Sequence, residues 1–252
     1  MISKNQIKFI RQLEQKKHRS RTGCFVAEGP KVVGDMMTRY RPALVCATDE
    51  WEGWQTGAGS HADCELMKVS DEELRRISFL QHPQQVLAVM QQTGAQAEAT
   101  LADDQLVLAL DGIQDPGNLG TIIRMADWFG IDSIWCSPDT ADAWSPKVVQ
   151  AAMGSLAHIH IGYTPLPDLL DRRPGGLPVY GTLLDGEDIY QQALTARGVI
   201  VMGNEGKGLS AAVRQRVTNR LLIPKFREGA AAESLNVAIA TAIVCSEFRR
   251  RG

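Results

Sequence analysis

The sequence predicts an α/β protein of two domains. Six short apolar runs follow residue 105 and alternate with stretches of helical spacing, the pattern of βα crossover units around a mostly parallel sheet. Residues 92–104 are polar and alanine-rich without sustained periodicity, as expected of a linker. A chain of 252 residues is long enough for a domain on either side of it. We therefore predict domains at 1–91 and 105–252.

The first domain is predicted to be a small α/β unit. Ile7, Ile10 and Leu13 recur every three residues, which indicates an amphipathic helix over 5–16. The rest of this half mixes short apolar stretches with helical patterns, at 31–39, 44–47, 71–77 and 86–90.

The positive charge of the chain is concentrated near its beginning. Residues 1–41 contain ten Lys or Arg and three acidic residues, a net charge of +7, although the whole chain carries −2. Such a basic face on an acidic protein indicates a polyanionic partner, most often nucleic acid. Charge alone supports a solvated helix face without a partner equally well. The candidate contacts are Lys4, Lys8, Arg11, Lys16, Lys17, Arg19 and Arg21.

Composition excludes several other classes of protein. No apolar run approaches the roughly 20 residues of a membrane-spanning helix, and the basic N-terminus lacks the apolar core of a secretory signal. We therefore expect a cytoplasmic protein without a membrane partner. The five cysteines include no CxxC pair and are expected to be reduced thiols. His158 and His160 are two imidazoles without a third ligand, so no metal site is predicted.

The apolar runs predict the strands of the second domain. They span 106–110, 133–136, 158–161, 179–183, 199–202 and 220–223. In open parallel sheets, ligands bind beyond the carboxyl ends of the strands. The segments that follow the first, fifth and sixth runs are therefore the candidate functional loops.

The first candidate loop opens a helix that carries an arginine off its apolar stripe. Asn118 follows a run of turn residues and is placed to cap that helix. Gly120 leaves room for something to approach, and Arg124 lies one turn beyond it. A ligand contact through Arg124 and a surface ion pair with Asp127 are both compatible with this spacing, which slightly favours the ion pair.

The second candidate loop, 203–208, surrounds one carboxylate with glycines. It lacks the Gly-Lys-Ser/Thr of a phosphate loop and the spacing of GxGxxG, so it is neither a nucleoside-triphosphate nor a dinucleotide loop. The glycines permit close backbone approach, and Glu205 can hydrogen-bond a polar or cationic ligand. A plain strand-to-helix turn is the alternative, and glycine content alone favours it.

The third candidate loop leads from a strand that ends at Pro224 into the last helix. Ser234 is placed to cap that helix, a structural interpretation that does not exclude a functional one. Asn236 lies two residues further, where its side chain and the free N–H groups of the first turn can hold a polar ligand. This loop therefore adds two polar side chains to the predicted site.

The three loops together resemble the three motifs of the SpoU family of RNA ribose 2′-O-methyltransferases, within the SPOUT class. The first motif corresponds to 118–124, the second to 203–208 and the third to the segment from 223 to 237. Upstream, the basic helix and residues 25–29 resemble the small, ribosomal-protein-like RNA-binding domain that is common at the N-terminus of this family.

This resemblance implies a C-terminal SPOUT domain with a parallel sheet and a deep trefoil knot, and a homodimer. It implies S-adenosylmethionine as the cofactor and methylation of a ribose 2′-hydroxyl in RNA. Ribosomal RNA is the first expected substrate and transfer RNA the second. A non-catalytic RNA-binding assembly protein is the alternative. It assigns catalytic roles to Arg124, Asn118, Glu205, Ser234 and Asn236. Cofactor contacts, mainly through the backbone, are assigned to Met202, Gly203, Asn204, Ile223 and Leu235.

Overall fold

A computed structural model of the chain describes residues 1–53, 64–92, 99–227 and 234–251. The chain divides into two compact units, residues 1–95 with 142–158 and residues 96–141 with 159–252. Of the predicted linker, residues 93–98 lie outside the described residues, and Ala99 and Leu101 pack against the core of the second unit. No helix in the described part of the chain is long and apolar enough to span a bilayer.

Helices and strands alternate through most of the chain, and the described residues form nine α-helices, two short 3-10 helices and ten strands. The helices are α1 (Lys4–Gln12), α2 (Lys16–Thr22), α3 (Pro30–Met37), α4 (Asp71–Ile77), α5 (Pro116–Trp128), α6 (Pro146–Ala152), α7 (Leu166–Asp171), α8 (Ala211–Arg214) and α9 (Val237–Arg251). The strands are β1 (Cys24–Glu28), β2 (Arg41–Ala47), β3 (Glu65–Lys68), β4 (Val86–Gln91), β5 (Leu106–Asp111), β6 (Ser133–Cys136), β7 (His160–Tyr163), β8 (Val179–Asp188), β9 (Gly198–Gly203) and β10 (Asn219–Leu222).

The first unit is built on a four-stranded sheet in the order β1-β4-β2-β3. β4 runs antiparallel to both of its neighbours, and β3 is parallel to β2. The predicted helix over 5–16 ends at Gln12, because the Arg19 guanidinium binds the carbonyls of Leu13 and Glu14, both at 2.7 Å. These two hydrogen bonds stabilise the turn that leads into α2.

Residues 142–158 also belong to the first unit, although they are distant from it along the chain. α6 lies against β1, and the Tyr40 hydroxyl donates to the carbonyl of Leu156 at 3.3 Å. Arg19 forms an ion pair with Asp142, in which Nη2 and Nε donate to one carboxylate oxygen at 2.6 and 3.0 Å. Arg19 is only 3% exposed. The prediction of Arg19 as a nucleic-acid contact is therefore wrong, because its guanidinium is buried and bound within this unit.

The second unit contains a six-stranded sheet in the order β10-β8-β9-β5-β6-β7, in which every pairing is parallel. This confirms the predicted parallel α/β fold, since each predicted apolar run overlaps one strand. The differences lie at strand ends: β7 begins at His160 instead of residue 158, and β8 continues to Asp188. β5 is buried along its whole length, as expected of a parallel strand covered on both faces.

The strand order of this sheet reverses between β5 and β9. β6 and β7 extend the sheet on one side of β5, whereas β9 pairs with β5 on the other side. The β5–β9 register ends with Asp111 opposite Gly203, so both strands finish at the same edge. Ligands bind in the crevice at such a switch point in open parallel sheets. The fold therefore brings the first and second candidate loops to one place.

Candidate active site

The loop that follows β9 is attached to the end of β5 by Asn204. Its side-chain Nδ2 donates to the carbonyl of Gly112 at 2.6 Å, and its Oδ1 accepts from the N–H groups of Gly206 and Lys207, both at 3.0 Å. The Asn204 side chain is thus used to shape the loop. Its backbone N–H and carbonyl are also used within the loop, where they pair with Gly208 at 3.0 and 2.9 Å.

Gly203 is required because the loop closes on its own backbone. A Cβ at this position would lie 2.4 Å from the carbonyl carbon of Gly208 and 2.5 Å from the nitrogen of Leu209. No side chain fits there without a backbone shift. The close backbone approach that the glycines predict therefore occurs within the loop itself.

Glu205 connects this loop to the start of α5. Its Oε1 accepts from the Asn118 amide at 3.1 Å and from the N–H of Asp115 at 3.2 Å, while Oε2 accepts from the N–H of Gln114 at 3.3 Å. Burial raises the pKa of this carboxyl, but hydrogen bonds from its own N–H and from these three donors outweigh burial and hold the pKa below its ordinary value. The ionised carboxylate lies where the α5 dipole favours an anion.

The N-terminal cap of α5 is Asp115, not Asn118 as the sequence predicts. Asp115 Oδ1 accepts from the N–H of Asn118 at 2.8 Å, and Pro116 occupies the first helical position. Proline suits that position because its missing N–H needs no partner there. The Asn118 side chain is thereby released to face the second loop.

Asn236 links the third loop to the other two. Its Nδ2 donates to Asn118 Oδ1 at 2.9 Å, and its own Oδ1 accepts from the N–H groups of Ala238 and Ile239 at 2.9 and 3.2 Å. Asn236 therefore caps α9, and the predicted cap Ser234 does not. Ser234 is exposed and has no hydrogen-bond partner among the residues that the structure describes.

Three of the five predicted catalytic side chains thus form one chain of hydrogen bonds, from Asn236 to Asn118 to Glu205. Both oxygen and nitrogen of the Asn118 amide have partners of the correct type, so its orientation is determined. The three loops come from segments that are distant in sequence. Their polar side chains meet at the carboxyl edge of the sheet.

Arg124 lies in the third turn of α5 and is exposed. Its guanidinium forms no hydrogen bond or ion pair with any described residue, so the alternative ion pair with Asp127 is not formed. The structure does not bring Arg124 into contact with Asn118, Glu205 or Asn236. All five guanidinium N–H donors are available to a ligand.

The predicted cofactor residues lie at the ends of β9 and β10 and before α9. Met202 is buried, Gly203 and Ile223 are half-buried, and Leu235 is 51% exposed. Of the partly exposed side chains, Ile223 and Leu235 are apolar, and the Asn204 amide oxygen accepts hydrogen bonds within its own loop. Apolar side chains beside a few polar groups are typical of small-molecule sites.

Two polar residues that support the site are absent from the sequence-based prediction. Asp111, buried at the end of β5, accepts from the N–H of Ser210 at 2.7 Å and so holds the far end of the second loop. Ser137 Oγ, after β6, accepts from the N–H of Gly112 at 2.8 Å. An aspartate at the end of an apolar run was the available signal for the first of these.

Two family models match the chain. Residues 105–246 match the SpoU rRNA Methylase family, and residues 4–88 match the MRM3-like substrate binding domain. This chain is 33% identical in sequence to the 23S rRNA (guanosine(2553)-2′-O)-methyltransferase RlmP of Bacillus subtilis (strain 168). The match covers 98% of this chain and 97% of that protein.

Solved structures give the same relationship. The AdoMet-bound rRNA methyltransferase from Sinorhizobium meliloti is 32% identical to this chain, with a TM-score of 0.87 over 99% of this chain and 97% of that one. A TrmH-family protein from Porphyromonas gingivalis is 43% identical, with a TM-score of 0.88 over 100% of both chains.

Proposed function

This chain belongs to the SpoU rRNA methylase family, and on that premise we propose that it methylates 23S ribosomal RNA. It is an RNA ribose 2′-O-methyltransferase whose cofactor is S-adenosylmethionine. The observation that carries the proposal is the hydrogen-bonded chain Asn236–Asn118–Glu205 at the switch point of the sheet. A relative named for 23S rRNA that covers 98% of this chain supports that RNA over transfer RNA.

Arg124 is proposed to hold the phosphate beside the reacting ribose and to stabilise charge in the transition state. A ribose hydroxyl is a poor nucleophile, so positioning and assistance to proton removal must lower much of the barrier. A guanidinium stays protonated in proteins and therefore does not act as a general base. Its fork of donors grips phosphate oxygens, and the absence of a partner for Arg124 among the described residues supports this role.

Glu205, Asn118 and Asn236 are proposed to orient the ribose and the helix that carries Arg124. Their hydrogen bonds connect the start of α5, the second loop and the start of α9. Ser234, exposed before Asn236, completes the pocket with a hydroxyl that can donate or accept. Preorganised polar groups of this kind need no rearrangement when the reaction begins.

The cofactor is proposed to bind against Met202, Gly203, Asn204, Ile223 and Leu235. When bound, it supplies a methyl group on a sulfonium, which makes the methyl electrophilic. In support, Met202 and Gly203 end β9, Ile223 follows β10 and Leu235 precedes α9, and the side chains of Ile223 and Leu235 are apolar and partly exposed. Gly203 keeps the second loop compact there, since a Cβ would collide with Gly208.

We infer that the last third of the chain forms a deep trefoil knot. β10 follows β9 in the chain but pairs with β8, so the chain must cross beyond β8 to reach the sheet edge. α9 then returns to pack against α5 and β9. This doubling back supports a knot, and an experimental trace in which the C-terminal segment passes through no closed loop would contradict it.

We propose a homodimer whose interface includes the outer faces of α5 and α9. These helices pack on each other, and each carries a large apolar side chain that faces solvent. Trp128 on α5 is 84% exposed and Ile239 on α9 is 54% exposed. Trp128 ends α5 and Ile239 lies in the first turn of α9, and in this proposal a second copy of the chain covers both side chains.

We infer that residues 1–91 form an RNA substrate-binding domain, joined through 92–104 to a catalytic domain over 105–252, in a cytoplasmic protein. Residues 142–158 of that range pack with the first unit. The match of residues 4–88 to a substrate binding domain supports the first assignment. Lysines and arginines on its surface remain exposed for phosphate contacts. They are Lys4, Lys8, Arg11, Lys16, Lys17 and Arg21.

Methyl transfer from labelled S-adenosylmethionine tests the reaction and its substrate together. RNA that lacks the modification is incubated with the protein, ribosomal and transfer fractions are separated, and each is digested with alkali. We expect labelled, alkali-resistant linkages in the 23S fraction, because a methylated 2′-hydroxyl cannot take part in backbone cleavage. Label in transfer RNA alone would contradict the proposed substrate, and absence of cofactor binding would favour a non-catalytic assembly protein.

A further inference from the structure

The first helix presents a basic stripe that ends in a stacked arginine. Lys4, Lys8 and Arg11 recur at i, i+4 and i+7, which places them on one face of α1, and all three are exposed. Ile10 is fully buried on the other side of the helix. The stripe therefore offers two flexible ammonium groups followed by one planar guanidinium.

The Arg11 guanidinium is held in a fixed orientation. Its Cζ lies over the Phe79 ring, 4.6 Å from the ring centroid, and its Nη1 donates to the carbonyl of Ser78 at 2.5 Å. The stack and the hydrogen bond together restrict the freedom that a surface arginine normally keeps. Because Cζ lies over the ring and Arg11 as a whole is exposed, a ligand can approach the guanidinium from the side away from the ring.

A buried carboxylate anchors the residues that orient Arg11. Glu28, which is 6% exposed, accepts hydrogen bonds from the Ser78 hydroxyl and from the N–H of Phe79, the latter at 2.9 Å. The hydroxyl oxygen of Ser78 in turn accepts a hydrogen bond from the N–H of Leu80 at 3.0 Å. Glu28 belongs to β1, so the support of the arginine is part of the sheet of this unit.

From this geometry we infer a stacking subsite, formed by Arg11 and Phe79, that binds one unpaired base of the RNA substrate on the side of the guanidinium away from the ring. The inference rests on the proposed function, and it identifies single-stranded RNA as what this part of the chain recognises. Guanidinium planes and aromatic rings stack on bases of any sequence. Bases inside a duplex are already stacked on both faces and do not fit.

A phosphate contact alone does not account for this arrangement. A guanidinium grips phosphate with the N–H groups along its edge, and Nη1 of Arg11 is already bound by the Ser78 carbonyl. Nε and Nη2 have no partner among the described residues, but an edge contact with phosphate does not require an aromatic ring beneath the guanidinium, which Phe79 supplies. Lys8, one turn earlier, suits the neighbouring phosphate, because an ammonium is a mobile point charge.

Two labelled RNA oligomers of equal charge and about 12 nucleotides separate base stacking from phosphate binding. One consists of adenylates, and the other is abasic with the same ribose-phosphate backbone. Fluorescence anisotropy gives the Kd of each for the full-length protein. We expect the wild type to prefer the adenylate oligomer by about 5- to 150-fold, the range of one base stack. Arg11→Lys keeps the charge but loses the plane, and should abolish this preference while binding the abasic oligomer normally.

Three further variants control the result. Phe79→Leu keeps an apolar side chain without the ring and should also abolish the preference, and the double variant with Arg11→Lys should be no worse because the two residues act as a unit. Lys8→Gln should weaken binding of both oligomers equally and lower the salt dependence by about 0.7 in log–log slope. An unchanged Tm and unchanged S-adenosylmethionine binding verify that each variant folds.

The subsite is overturned by a preference for bases that survives Arg11→Lys, by an equal loss of affinity for both oligomers in Arg11→Lys, or by a wild type that shows no preference. An equal loss would indicate a phosphate contact. Failure of the proposed function is observed separately, as absence of methyl transfer by the wild type, which the oligomer assay does not measure.

Discussion

Asn118 and Glu205, 87 residues apart in the chain, share a hydrogen bond of 3.1 Å from the amide Nδ2 to the carboxylate Oε1. This bond joins the first turn of α5 to the loop after β9. Because Arg124 lies on the same helix, the position of its backbone depends on a carboxylate from the loop after β9. The predictions for the active site follow from this dependence.

Glu205→Gln is expected to lower turnover and to leave cofactor affinity nearly unchanged. The substitution removes the negative charge that the Asn118 amide and two backbone N–H groups share. Hydrogen bonds to a charged acceptor contribute about 1.5–3 kcal/mol, so kcat should fall about 10- to 100-fold. Single-turnover methyl transfer measures the effect, with Lys207→Gln in the same loop as the control. An equal loss in both variants would show that Glu205 has no special role.

The stabilisation from Glu205 should disappear at acid pH. The pKa of its carboxyl is lowered in the folded protein from 4.5, so the stabilisation is complete above that value and is lost as the pH falls through the lower, folded pKa. The difference in Tm between wild type and Glu205→Gln should therefore be largest at neutral pH and shrink in acid. A difference that stays constant from about pH 7 to about pH 3 would contradict this coupling.

Arg124→Lys is expected to abolish most turnover while S-adenosylmethionine still binds. Lysine keeps the positive charge but cannot present two parallel donors to a phosphate. Loss of one preorganised donor typically lowers kcat by about 100- to 1,000-fold. Arg216→Lys, the same exchange at a surface ion pair with Asp171, is the matched control and should retain full activity. Near-normal turnover in Arg124→Lys would refute the phosphate role.

Arg19→Met is expected to destabilise the first unit without changing the salt dependence of RNA binding. It leaves Asp142, whose side chain is 13% exposed, without its buried partner, which costs about 3–5 kcal/mol. Lys17→Met, on the exposed side of the same helix, should change the free energy of unfolding by less than about 0.5 kcal/mol. Urea titrations measure both. Equal stability of the two variants would show that the ion pair is dispensable.

Trp128→Glu is expected to raise the monomer fraction. The substitution places a charge on an apolar surface that a second copy is proposed to cover. Sedimentation velocity over a concentration series measures the fraction. Leu184→Glu is the control, because Leu184 is also an exposed apolar side chain, at 79%, but lies on β8 and outside the proposed interface. If both variants associate as the wild type does, the interface lies elsewhere.

The parallel sheet and the place of the site could be predicted from the sequence, because both follow from local patterns. Apolar runs of strand length between helical segments predict the sheet, and the rule that ligands bind at strand ends directs attention to Asn118, Glu205 and Asn236. The cap of α5 could also have been predicted, since an aspartate before Pro116 is a common helix start.

The contacts within the site and the burial of Arg19 could not be predicted, because they depend on tertiary register. Asn118 meets Glu205 only because β5 and β9 pair so that Asp111 stands opposite Gly203. Arg19 lies in a run of basic residues, as a surface contact would, but its partner Asp142 lies 123 residues away in the chain. Charge counting along a sequence does not distinguish a solvated guanidinium from a buried one.

The membership of residues 142–158 in the first unit has a consequence for biosynthesis. Residues 96–141 of the second unit must be translated before this segment emerges, which at about 5 to 20 residues per second takes roughly 2 to 9 s. During that interval Arg19 exists without its carboxylate. The first unit therefore cannot complete its packing until residue 158 has been made, at a point when residues 159–252 of the second unit are still to be translated.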